Sequence, residues 1–135
     1  MDENPPPVTG RVTGIGGFFF KCKDPEGIAR WYHSMLGIAL TPKTYDEAPW
    51  RTQGGTTVFE PFAQDTAYFG DPSARWMINF RVDDLDCIVA RLREAGHTVE
   101  YEGDGEAFPN GRFAKLHDPE GNAIQLWEPG GKDPG

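Results

Sequence analysis

Basic residues are in short supply. Lys and Arg total 13 against 21 Asp and Glu, a formal charge of −8, and the nearest cationic pairs are Lys21 with Lys23 and Arg91 with Arg93. Cations this few and this scattered do not track a phosphate backbone, so nucleic acid is excluded as a partner. Cysteine is scarcer. Cys22 and Cys87 lie in or beside apolar segments without the close spacing of a zinc knuckle or a redox pair, which reads as buried thiols in a reducing compartment. No apolar run approaches the roughly 20 residues of a membrane span, and the start MDENPPPVTG has no basic region followed by an apolar stretch. The expected setting is therefore cytoplasmic, with no membrane partner. Serine is limited to Ser34, on a predicted helix, and Ser73, in a predicted loop, so there is no nucleophile elbow. Gly14, Gly16 and Gly17 precede a predicted strand rather than a helix, which rules out a phosphate-cradling loop.

What remains is ordinary globular material: 135 residues, 38% hydrophobic and 25% charged, enough for one self-sufficient core. Pro5, Pro6 and Pro7 at one end and the Pro- and Gly-rich 129–135 at the other predict loose tails over 1–10 and 129–135, flanking a single domain over 11–128. Within it, an apolar strand over 15–23 runs into Asp24-Pro25, a helix cap followed by proline at the first helical position. Ile28, Trp31, Tyr32, Met35 and Leu36 then recur at helical spacing until Gly37. About sixty residues later the pattern returns. A strand over 76–82 is followed by Asp83-Asp84, by Leu85, Ile88, Val89 and Leu92, and by Gly96. Three strand-like stretches follow each helix, at 38–44, 50–53 and 56–62, then at 98–101, 112–117 and 123–128. Asp118-Pro119-Glu120-Gly121-Asn122 carries a hairpin signal between the last two. Strand, helix and three strands, repeated once in modules of about 11–70 and 74–128, predict an α+β fold with a mainly antiparallel, curved, cup-shaped sheet and helices on its outer face.

Strand alternation assigns the faces. Ile78, Phe80, Val82, Ile124 and Leu126 should lie under the helices, leaving Met77, Asn79, Arg81, Gln125 and Trp127 on the concave side. Superposing Asp24 on Asp84 adds Gly17, Phe19 and Lys21 to the concave side and puts Phe18, Phe20 and Cys22 beneath the helix.

The two βαβββ units resemble the vicinal oxygen chelate superfamily. The resemblance rests on Phe18-Phe19-Phe20-Lys21-Cys22-Lys23-Asp24-Pro25 leading into a helix with Trp31-Tyr32 and ending Leu36-Gly37. It rests also on the closing Gly111-Arg112-Phe113-Ala114, Asp118 to Asn122 and Gln125 to Glu128. That superfamily includes glyoxalase I, extradiol dioxygenases, fosfomycin-resistance transferases and bleomycin-resistance binding proteins. It is specific for fold and silent about reaction. Its metal-bearing members carry ligands on the first and fourth strands of each module, usually His and Glu. The resemblance places those positions at Gly17, Glu60, Met77 and Gln125. Glycine has no donor and a thioether is ill suited to ions that favour imidazole and carboxylate, so the expectation is that no metal or other cofactor is bound. Of the three histidines, His33 should face solvent and His97 follow the helix stop, while His117 shares parity with Phe113 and Lys115 and can look into the cup.

Without a metal, the expected lining is Phe19, Val58, Phe62, Met77, Phe113 and Trp127, with Lys21, Asn79, Arg81, Lys115, Glu60 and Gln125 as polar fixtures. Apolar area with a few convergent polar groups suits a small organic ligand. Lys21 and Arg81 either receive an anionic substituent or snorkel to solvent. Phe113 and Trp127 either stack a planar guest or fill the cavity. Glu60, buried beside aromatics, would be a candidate base. The loop over 103–111 is either a mobile lip or a plain connection. The function expected is thus a glyoxalase- or bleomycin-resistance-like binder of a small aromatic or anionic molecule. The alternative is a metal-dependent lyase, isomerase or dioxygenase using Glu60 and Gln125. A homodimer, with or without exchanged halves, is expected from the resemblance and from open sheet edges.

Overall fold

The structure, a computed structural model, describes residues 9–135; most of the expected N-terminal tail therefore lies outside the described residues. Its first element is helix α1, Pro25–Leu36. The Asp24 carboxylate accepts from the Gly27 N–H at 3.0 Å, and Pro25 opens the helix without wasting a donor. Gly37 ends it in the left-handed region, its N–H donating to the His33 carbonyl. The second helix, α2, is Leu85–Glu94, capped in the same manner by Asp84 on the Cys87 N–H. Its Leu85, Ile88, Val89 and Leu92 are buried.

Four strands make one sheet. They are β1 (Ile78–Arg81), β2 (Glu100–Tyr101), β3 (Gly111–His117) and β4 (Ala123–Pro129), in the spatial order β1-β4-β3-β2. Strand β1 is parallel to β4, and the other two pairings are antiparallel. The fold is α+β, as predicted. The core forms where both helices meet one sheet face: Ile28 and Tyr32 from α1, the α2 stripe, Val99, Ala114, Leu116, Ile124 and Leu126. Phe20 and Cys22 pack against it, as expected from strand parity, whereas Phe18, expected beneath the helix as well, is 43% exposed and lies edge-on to Trp76.

Polar ties fix α1 to the second module. The Tyr32 hydroxyl donates to Asp118 at 2.7 Å, the Trp31 indole N–H donates to His97 Nε2 at 2.9 Å, and the Lys23 and Asp24 N–H groups donate to Glu120. Asp86 on α2 accepts from Tyr101 and Arg112, clamping β2 and β3 to that helix.

The first module departs from expectation. Outside α1, no strand forms between residues 9 and 77 among the described residues. The stretches 15–23, 38–44, 50–53 and 56–62 have apolar residues to bury, yet no ladder partner accepts their N–H groups among the described residues. Val12, Ile15, Phe19, Val58 and Phe59 remain exposed, Phe19 by 93% and Phe59 by 90%. Alternating apolar residues give a segment a face; they do not supply its neighbour. The 129–135 end, read from sequence as a loose tail, is pinned. Lys132 N–H donates to the Pro109 carbonyl at 2.7 Å, Gly130 and Asp133 form a bridge, and Thr56 donates to Asp133.

Candidate functional site

The sheet face away from the helices carries a row set by register, with Asn79 opposite Gln125, Gln125 opposite Lys115, and Lys115 opposite Glu100. The row is linked in one direction. Asn79 Nδ2 donates to Gln125 Oε1 at 2.7 Å, and Gln125 Nε2 donates to the Tyr68 hydroxyl at 2.9 Å. That hydroxyl in turn donates to Glu102. Lys115 donates to the Tyr68 carbonyl, and its ammonium stands 3.7 Å from the centre of the Tyr68 ring. Burial, reinforced by the bond to Glu102, lifts the Tyr68 phenol above its ordinary pKa and keeps it a donor.

A second row follows, Arg81 opposite Trp127 and Trp127 opposite Phe113. The Phe113 and Trp127 rings stack at 6.1 Å with 4° between planes, and the Trp127 N–H donates to the Asn110 carbonyl. Trp127 is only 3% exposed, so it fills space rather than offering a free face. Arg81 donates to the carbonyls of Gln53 and Gly54, at 3.0 and 3.3 Å. Among the described residues neither Arg81 nor Lys115 pairs with a carboxylate.

Asn79, Arg81, Phe113, Lys115, Gln125 and Trp127 thus share the face that alternation assigned to them. Met77 is half-buried just before β1. Four expected positions from the first module, Phe19, Lys21, Val58 and Glu60, do not join this group, and Val58 is 67% exposed. Phe19 and Lys21 border a separate open groove of about 590 Å³ with Phe20, Trp76 and Asn122. Lys21 therefore has different neighbours from Arg81, and the two cations do not form one anion clamp. Glu60, expected buried and aimed inward, is exposed. Its segment belongs to no strand, so nothing fixes the alternation that would turn the carboxylate inside. His117 ends β3, exposed and close to Gly70. His33 is exposed, with its ring beside the Ile38 carbonyl, and His97 is occupied by Trp31. The loop after β2 holds a short 3-10 turn, Glu102–Gly105, and is tied at Phe108 to Gly111 and at Pro109 to Lys132. The loop is thus bonded within itself and to the 129–135 end.

The superfamily's metal positions can be tested on their donors. Gly17 offers none, Met77 offers a thioether, Glu60 is exposed, and the Gln125 amide is committed to Asn79 and Tyr68. Among the described residues no three His, Cys, Asp or Glu groups converge. This donor set does not fit a divalent ion.

The sequence over residues 17–127 matches the glyoxalase-like domain family. The chain belongs to that family. With it comes membership of the vicinal oxygen chelate superfamily. Among solved structures, this glyoxalase-like chain is similar to TnmS3, an antibiotic binding protein from Streptomyces sp. CB03234. Identity is 24%, the TM-score 0.56, and the match covers 88% of this chain and 98% of the other. At that identity the likeness speaks for the fold. A glyoxalase/bleomycin resistance protein from the same Streptomyces is 39% identical over 38% of this chain and 42% of its own, with a TM-score of 0.33. Lactoylglutathione lyase from Agrobacterium tumefaciens is 21% identical over 78% and 85%, with a TM-score of 0.46. No curated protein matches the sequence.

Tyr68 and Glu102 are the two site residues that sequence reasoning missed. Glu102 follows Tyr101 in strand alternation, and Tyr101 packs on the core, so Glu102 was findable by extending β2 one residue. Tyr68 lies in a turn-rich stretch with no periodicity and gave no signal.

Proposed function

We propose that this glyoxalase-like protein binds a small organic molecule, aromatic or anionic, on the sheet face carrying Asn79, Arg81, Lys115 and Gln125, and that it does so without a metal. The observation that carries the reading is the placement of two cations, Arg81 and Lys115, that pair with no carboxylate among the described residues, beside a polar row and the half-buried Phe113 ring. Such a face orients a guest through a few directed bonds and gains the remaining affinity from apolar contact. Cys22 is half-buried and Cys87, expected to be buried, is exposed; a cytoplasmic setting remains part of the proposal.

A thermal-shift series over benzoate-type carboxylates and their neutral analogues tests the reading. The carboxylates should raise the melting temperature of the parent, and Arg81→Ala should abolish the gain; no response to any aromatic or anionic compound would refute it. Chelation supplies a second check. EDTA should leave the melting temperature of the parent, Glu60→Ala and Gln125→Ala unchanged, whereas stoichiometric zinc, nickel, iron or manganese in protein purified without chelator would reverse the conclusion.

The same proposal includes a second copy of the chain. Extended segments with exposed Phe19, Val58 and Phe59, together with the open outer edges of β1 and β2, support a homodimer in which each chain satisfies what the other leaves unpaired. Sedimentation at micromolar concentration should give twice the 15.0 kDa of one chain, and a single-chain mass alone would exclude the pairing.

A further inference from the structure

The centre of the sheet's polar row is already in use by the chain itself. Tyr68 comes from the turn-rich segment 63–76 rather than from the sheet, yet it engages two of the sheet face's polar side chains and the Glu102 carboxylate from the turn after β2. Gln125 donates to its hydroxyl, Glu102 accepts from it, and Lys115 stands over its ring and bonds its carbonyl. Phe62 stacks on it at 5.9 Å. A donor and an acceptor aimed at one oxygen, with a cation over the attached ring, form a recognition set for a hydroxyl on a planar aromatic. Bonds within the segment, Thr66 to Ala63, Gly70 to Ala67, Ala74 to Asp71 and Ser73 to Asp71, fold it into turns of its own, and among the described residues its hydrogen bonds to the rest of the chain are those of Tyr68.

We propose that Tyr68 is the resident occupant of the ligand site, a removable plug, and that the native guest is a hydroxylated aromatic that takes its place on Gln125, Glu102 and Lys115. The inference rests on the binding role proposed above and adds a chemical class and a gating residue. Occupancy by Tyr68 keeps most molecules in a closed state, so binding is weakened by the fraction that is open. Removing the plug leaves the recognition set intact and lifts that penalty.

The probe is p-cresol, the tyrosine side chain as a free molecule, with toluene as the control that lacks the hydroxyl. By titration calorimetry, Tyr68→Ala should bind p-cresol about tenfold more tightly than the parent does, and about tenfold more tightly than it binds toluene. Adding Gln125→Ala should lower the preference for the hydroxyl, since only the Glu102 acceptor then remains to hold it. Equal affinity of Tyr68→Ala and the parent for p-cresol, or equal affinity of Tyr68→Ala for p-cresol and toluene, would overturn the proposal. Should Tyr68→Ala fail to fold, the parent carrying 3-fluorotyrosine decides the matter. The Tyr68 fluorine signal, assigned by its loss in Tyr68→Phe, should move to the position of an exposed tyrosine when p-cresol saturates. A guest that binds while this signal stays in place sinks the plug and leaves the binding role standing. Failure of both parent and variant to bind any aromatic compound sinks both.

Discussion

Asp118→Ala should lower the unfolding free energy by about 4 kcal/mol, the largest loss expected of any single substitution outside the apolar core. Asp118 is 4% exposed. Its two oxygens accept from the Tyr32 hydroxyl, from the Glu120 and Asn122 N–H groups and from the Asn122 side-chain amide, at 2.7 to 2.9 Å. Three of those bonds set the turn between β3 and β4, and the fourth fastens α1, so one carboxylate joins the helix to the tightest hairpin of the sheet. Alanine strands four donors at once, the Tyr32 hydroxyl in a buried position and the other three half-buried. Asp118→Asn keeps the size and one acceptor but turns an amide N–H₂ toward groups that also donate; about half the loss is expected. Urea unfolding reads both variants as a shift in midpoint. A midpoint within error of the parent for Asp118→Ala would mean that the turn and the helix contact carry no stability.

Gly111→Ala should cost about 3 kcal/mol in the same assay. Gly111 begins β3 with φ of 130°, a conformation that side chains avoid, and it pairs with Pro129 at the end of β4. A methyl group there would run into the Glu128 carbonyl oxygen and would lie 2.9 Å from the Trp127 indole nitrogen. The obstacle on the first side is backbone in a ladder, which has nowhere to retreat. The variant should also loosen the Trp127 indole bond to Asn110, so tryptophan fluorescence should shift to longer wavelength in the folded state. An unchanged midpoint together with unchanged emission would contradict the steric account.

The second module was legible almost residue by residue. Asp84, the Leu85-Ile88-Val89-Leu92 stripe and the Asp118-to-Asn122 turn each encode a local decision, and strand alternation then placed Asn79, Gln125, Lys115 and Trp127 correctly on one face. In the first module, α1 was equally plain, since Asp24, Pro25 and Gly37 act within a few residues of themselves. The strands there were not, because a strand is defined by whom it pairs with. The alternation around Phe18, Phe19 and Phe20 carries no such information. Glu60 failed for the same reason. Its inward aim depended on a ladder that the chain does not build alone. Tyr68 escaped notice because its role comes from where a turn delivers it, with no pattern in its neighbours to announce it.

The parallel pairing of β1 with β4 has a consequence for how the molecule is made. Strand β4 sits between β1 and β3 and is the last to be synthesised. Until Ala123 and its successors leave the ribosome, β1 has no neighbour and the nascent polypeptide can hold helices but no finished sheet. A nonsense codon anywhere before position 123 therefore removes the strand that pairs with both β1 and β3, and leaves β1 without a neighbour in the sheet.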